Sequence, residues 1–247
     1  MSIDPLHVIG LAFVLLLIFS ILGEKNKRRT MRSIKAFSAL RRTIELSVED
    51  GSRLQISLGS GGLLGPENAA AFAGLTLLRQ VANIAADSDQ PPIATSGDAV
   101  LMLLAQDTLR HSYRRLGISD HYHLRLGRVT GLTPFSFAAG TLPLILDRSV
   151  SASALVGSYG EEVGLITAAS QLSGAFSLGG SNTLNGQAIL FGSAQEPLIG
   201  EEVFATGAYM GAGAIHLASL RAQDVMRWLI IFLLIATALF PLVAGLQ

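Results

Sequence analysis

"LQISLGSGGLLGPENAAAFAGLTLL", residues Leu54–Leu78, starts as an alternating strand, passes four glycines at 59, 61, 62 and 65, and continues as a helix. How that glycine loop is read decides the fold and much of the function. A Walker loop needs Gly-Lys-Ser/Thr after its glycines, but lysine occurs only at 25, 27 and 35. The dinucleotide fingerprint G-x-G-x-x-G also fails, since with Gly59 and Gly61 as its first two glycines the third would fall at position 64, which is Leu64. Carboxylates open the helices here and elsewhere: Glu67, Asp98, Glu161 and Glu162. A carboxylate in a first turn meets the positive helix end and repels phosphate. The loop therefore reads first as a turn and helix cap, with Pro66 at a first helical position.

Upstream, "TIELSVEDGSRLQISLG" (43–59) reads as a hairpin. Ile44, Leu46 and Val48 alternate on one arm and Leu54, Ile56 and Leu58 on the other, around Glu49–Ser52. Downstream, Pro91-Pro92 restarts the chain, and "IATSGD" gives a strand, a Ser96-Gly97 turn and a helix from Asp98 to Leu116 stopped by Gly117. "LPLILD" (142–147) and "SASALVG" (151–157) read as two strands. "GSYGEEVGLITAASQL" (157–172) turns into a helix, and "AFSLGGSNTLNGQAILFG" (175–192) repeats the pattern. Four strand–Gly/Ser–helix passages predict an α/β domain with a largely parallel sheet, whose turns gather on one ligand-binding edge. The candidate ligand-binding residues are Gly59, Ser60, Gly61, Gly62, Ser96, Gly97, Ser158 and Gly160.

Charge divides the chain. Only 15% of its 247 residues are charged, against about 25% in an average protein, and the mean hydropathy is +0.49. Residues 24–42 hold eight Lys or Arg and one acid, a net +7, while 43–220 hold eight Arg and 15 acids, a net −7. An acidic body is a poor nucleic-acid surface, so no nucleic-acid partner is expected. With no cysteine there are no disulfides, thiolate metal sites or cysteine nucleophile.

Leu6–Gly23 and Trp228–Leu246 are uncharged runs of 18 and 19 residues, apart from His7. Each matches the roughly 20 residues that span a bilayer. A basic run follows the first instead of preceding it, so it reads as an uncleaved anchor and not a signal peptide. The expected layout is a transmembrane helix at 6–23, a basic stem at 24–42, a cytoplasmic α/β domain at 43–220 and a second transmembrane helix at 228–246. The stem and Arg221 and Arg227 keep the domain cytoplasmic and both termini outside the cell membrane. The stem would rest on anionic headgroups. Val203–Leu220, uncharged but rich in glycine, reads as a buried or membrane-hugging helix and not a third span.

Other constellations are sparser. "GEEV" occurs twice, placing Glu161, Glu162 and Glu201, Glu202 where four acids could hold a divalent cation if they met; capping is the competing reading. His121 and His123 would share a strand face, without a third ligand. No G-x-S-x-G motif occurs, and no cofactor is expected.

"SLGSGG" (57–62), "TSGD" (95–98), "GSYGEEVGL" (157–165), "PLIGEEVFATGAYMGA" (197–212) and "SLRAQDVMRW" (219–228) resemble a family of uncharacterised prokaryotic membrane proteins defined by a domain of unknown function. The resemblance covers residues 6–246 and implies no catalytic residues. Three functions remain open. The first is a membrane-anchored, self-associating scaffold. The alternatives are a small-ligand sensor at the Gly/Ser turns and, least favoured, a metal-dependent membrane enzyme.

Overall fold

The computed structural model describes residues 5–23, 32–63, 65 and 68–244, with side chains at 9–21, 32–63, 65 and 69–235. They form two compact units, Arg32–Gly211 and a terminal unit of Met1–Met31 with Ala212–Gln247.

The larger unit is an α/β body. Its strands are β1 (Arg53–Gly59), β2 (Ile93–Ser96), β3 (Gly127–Val129), β4 (Val150–Ser158), β5 (Phe176–Ser181) and β6 (Glu196–Leu198). All pairings are parallel, in the order β3-β2-β1-β4-β5-β6. The chain starts at the centre, winds out to β3, returns to set β4 beside β1, and winds out the other way. That is the order of doubly wound dinucleotide-binding sheets, in which ligands sit where the winding reverses.

Winding from the centre in both directions puts helices on both faces. On one face α2 (Lys35–Glu49), α3 (Asn68–Ala85) and α4 (Ala99–Arg115) cover Leu54, Ile56 and Leu58 of β1 and Ala152, Ala154 and Val156 of β4. On the other, α5 (Pro134–Ile145), α6 (Val163–Ser173) and α7 (Leu184–Ser193) pack on Leu155 and Tyr159. This second face is polar near its centre, where Gln55 accepts from Ser153 Oγ (2.5 Å) and donates to Thr95 Oγ1 (2.8 Å).

Two elements differ from the sequence reading. The hairpin arm at 43–48 is the end of α2, and β1 is a central parallel strand. Alternation over 44–48 is too short to separate the two states. Upstream, Ala36, Phe37, Leu40, Ile44 and Ser47 form one buried helical stripe, while Leu46 is exposed. The stem therefore reaches into the body: Lys35 pairs with Glu196 (2.8 Å), Arg41 donates to the Tyr209 carbonyl (3.0 Å), and Phe37 stacks on Tyr209 at 5.0 Å. Residues 24–31 of the stem, and Pro66 and Glu67, lie outside the described residues. "LPLILD" is also helical, the end of α5. Its start is set by Pro134 at the first position and by Thr133, whose N–H donates to Ser136 Oγ (3.0 Å). Phe137, Ala138, Thr141 and Ile145 line its buried side.

Val203–Leu220 is not one helix. A 3-10 turn (Gly200–Ala205) leads into the short α8 (Thr206–Tyr209), and the chain breaks at Gly211 and Gly213, both with positive φ. In the terminal unit α1 (Pro5–Gly23) lies beside α9 (Ala214–Ala244), and Ile9, Phe13, Ile21, Trp228 and Phe232 are exposed. Among the described residues no helix is long and apolar enough to cross a membrane. Parts of both uncharged runs lie outside the described side chains, which end at 21 in α1 and 235 in α9.

Candidate functional site at the carboxyl edge of the sheet

The turns after β1, β2 and β4 meet where the winding reverses. β1 ends at Gly59 with φ +94°, a left-handed conformation that lets the chain fold over the end of β4. A Cβ there would lie 2.4 Å from the Ser158 carbonyl oxygen. From the other side, a Cβ on Gly157 would lie 2.0 Å from the Leu58 oxygen. The Ser60 and Gly61 N–H groups both donate to Ser158 O (3.1 Å each), and Gly97 N–H donates to Gly59 O (2.9 Å). Gly59 and Gly157 are thus required for backbone to approach backbone, and the Ser60, Gly61 and Gly97 N–H groups are already taken.

Glu162 completes the closure. It is the N-cap of α6 and only 1% exposed. Its Oε1 accepts from Ser60 Oγ (2.5 Å) and from Gly160 N–H (3.0 Å). A helix N-terminus beside a glycine loop is where an anion would sit in this fold. Here the protein's own carboxylate lies at that helix start, bonded to the loop and to Gly160 without a hydrogen bond to the first N–H groups of α6. Ser60 is a hydroxyl held by a base, the first half of a nucleophilic pair. Of the nearby backbone donors that could stabilise an oxyanion, the Ser60 and Gly61 N–H groups bind the Ser158 carbonyl instead.

The neighbouring turns cap their own helices. Ser96 Oγ accepts from Asp98 N–H (3.0 Å), and Asp98 Oδ1 accepts from Leu101 N–H (2.7 Å) at the start of α4. Thr183 accepts from Gly186 N–H (3.0 Å) and donates to the Tyr159 carbonyl. Of the sequence candidates, Gly59, Ser60, Gly61, Gly97, Ser158 and Gly160 come together with Glu162. Ser96 caps α4 beside them, and a Cβ on exposed Gly62 would lie 3.4 Å from Asp98 Oδ2.

The sequence reading did not single out Tyr159, which lies beneath this closure at 1% exposure, its ring 6.4 Å from Phe137. Burial holds its hydroxyl pKa far above the ordinary tyrosine value, and the Glu162 charge adds to this. Ser57 and the Gly59 backbone are close enough to oppose part of the shift, but among the described residues neither the Tyr159 nor the Ser57 hydroxyl makes a hydrogen bond. The signal for Tyr159 was its place between the end of β4 and "GEEV", a position fixed only once β4 lies beside β1.

The acid pairs do not assemble. Glu161 accepts from Asn185 Nδ2 (3.3 Å), Glu162 is buried, and Glu201 and Glu202 lie in the turn after β6, with β5 between β4 and β6. His121 and His123 are exposed in a region of 3-10 turns and not on a strand. Among the described residues no three His, Cys, Asp or Glu are grouped to hold a metal.

No curated protein and no solved structure matches the chain. A family model described as a domain of unknown function, DUF6754, matches residues 4–246, nearly the whole length, and the chain belongs to that family.

Proposed function

We propose that this protein is a membrane-anchored assembly module whose α/β body self-associates through the layer formed by α5, α6 and α7. One observation carries the reading: these three adjacent helices contain no charged residue, yet they expose apolar stripes. Leu165, Ala168 and Leu172 lie at i, i+3 and i+7 on the outer side of α6, and Leu184, Ala188 and Phe191 at i, i+4 and i+7 on α7. Leu172 is 82% exposed and Phe191 72%. Thr167 and Gln171 bind Ser193 (2.8 and 2.7 Å), which fixes the two stripes side by side. Monomeric proteins seldom expose contiguous apolar surface of this kind.

Charge selects the occupant. α2 and α4, on the opposite face, carry Lys35, Arg41, Arg42, Glu45, Glu49, Asp107, Arg110, Arg114 and Arg115. Two copies of the body, which over 32–211 holds 12 basic and 15 acidic residues and so a net −3, repel, and the charge-free layer is where that repulsion is least. A membrane surface fits it poorly, because interfacial helices carry basic residues around the apolar side. Anchoring rests on the uncharged runs 6–23 and 228–246, with the basic flanks orienting the body to the cytoplasm and Lys25–Arg29 contacting anionic headgroups.

Native mass of the full chain in mild detergent tests the proposal. Wild type is expected as a multiple of the protomer, and L172E/F191E as the protomer alone; a monomeric wild type overturns it. A second reading, a small-ligand sensor at the carboxyl edge, is favoured by the strand order alone. Thermal-shift screening with nucleotides, sugars and divalent ions removes it if none shifts the transition.

A further inference from the structure

We infer that the amino edge of the sheet carries a binding site for a phosphate monoester with an apolar substituent. At the starts of β1, β2 and β3 lies a cavity of ≈ 620 Å³, within the range of small-molecule sites. Arg53, Arg125, Arg128 and His123 line it, and no carboxylate does. This is unusual in an acidic body: three of the eight arginines in 43–220 face one recess. A neighbouring recess of ≈ 420 Å³, which shares Tyr122 and Leu124 as a wall, is lined by an acid as well as a base, Asp107 and Arg110.

The cations lack partners of opposite charge. Among the described residues none of Arg53, Arg125, Arg128 and His123 forms an ion pair. Arg53 donates to the neutral Gln90 side chain (2.5 Å), and its Nε is buried without a hydrogen-bond partner. Arg128 Nε donates to the Arg125 carbonyl (2.8 Å), which places the two residues together. Asp147 feels Arg53 only weakly; its lowered pKa comes first from hydrogen bonds with Ser149. A guanidinium stays charged at any physiological pH, and its planar donors match phosphate oxygens. A dianion therefore suits the cluster better than a single carboxylate. The remaining wall, Ile93, Leu124 and Leu126 with Tyr122, is apolar or aromatic and fits an organic group attached to that phosphate.

The phosphate monoester could be a soluble metabolite or a lipid headgroup, and calorimetry on the full chain in detergent separates them. Phenyl phosphate is the soluble probe, and vesicles containing phosphatidic acid are the lipid probe. Arg125 lies in the exposed 3-10 turn before β3 and Arg128 is an exposed residue of β3 itself, so thermal unfolding of the double variant R125Q/R128Q checks that the fold is kept. Phenyl phosphate binding that weakens at least about tenfold in the variant supports the site with a soluble ligand. If phenyl phosphate is inert but vesicle binding weakens as much in the variant, the same site takes a headgroup. No binding of either probe, or equal affinity in wild type and variant, overturns the inference.

Discussion

The glycines at the carboxyl ends of β1 and β4 and the arginines at the amino ends of β1 and β3 sit on the same sheet under opposite local rules. At the carboxyl edge backbone meets backbone, the Ser60, Gly61 and Gly97 donors are taken, and a buried glutamate stands at the start of α6. At the amino edge guanidiniums line an open cavity without counter-charges. In doubly wound sheets ligands sit at the carboxyl edge, yet strand order does not carry function by itself. Here the chemistry that would recognise an anion has moved to the other end of the strands.

That contrast can be broken by measuring stability at each edge. The largest effect is expected for Gly157→Val, because even a Cβ would lie 2.0 Å from Leu58 O. A loss of more than about 4 kcal/mol, seen as the absence of a cooperative denaturation transition, is the expected result. Glu162→Ala comes next, leaving the Ser60 hydroxyl and Gly160 N–H without their acceptor and removing a negative charge from the start of α6. It should cost about 2–3 kcal/mol, and Glu162→Gln, which keeps an acceptor oxygen, should recover part of it. Asp98→Ala removes the bond to Leu101 N–H and should cost about 1 kcal/mol.

Tyr159→Phe runs the other way. Deleting a buried hydroxyl that makes no hydrogen bond should leave stability unchanged or raise it by up to about 1 kcal/mol. A large loss would mean that the hydroxyl has a partner at the closure. The smallest effect belongs to Arg125→Gln, expected within about 0.5 kcal/mol by denaturation in mild detergent. If that variant proved as damaging as Glu162→Ala, the amino edge would be a structural seam as well.

The parallel sheet was legible because β1, β2, β4 and β5 each carry a strand pattern that ends in Gly or Ser and runs into a capped helix. The carboxylate pattern correctly placed Asp98 and Glu162 at helix starts. α2 was misread because a charge count had assigned its first turns to the stem, leaving five residues whose alternation imitates a strand. α5 was misread because Leu142, Leu144 and Leu146 alternate across Pro143, while its defining stripe begins earlier, at Phe137. The arginine-lined cavity could not be read at all. Arg53, Ile93 and Arg128 belong to three strands, and only the pairing of those strands brings them to one edge.

The seam between β1 and β4 also sets an order of events in time. Gln55 and Ser153, which hydrogen-bond across it, are 98 residues apart in the chain. Contacts of such separation form slowly, and a nascent chain has its early segments out of the ribosome first. β1 must therefore wait, unpaired on its β4 side, until β4 has been synthesised. A central strand left unpaired risks premature aggregation during that interval, so the translation rate between residues 59 and 150 should govern how much of the chain reaches the native state.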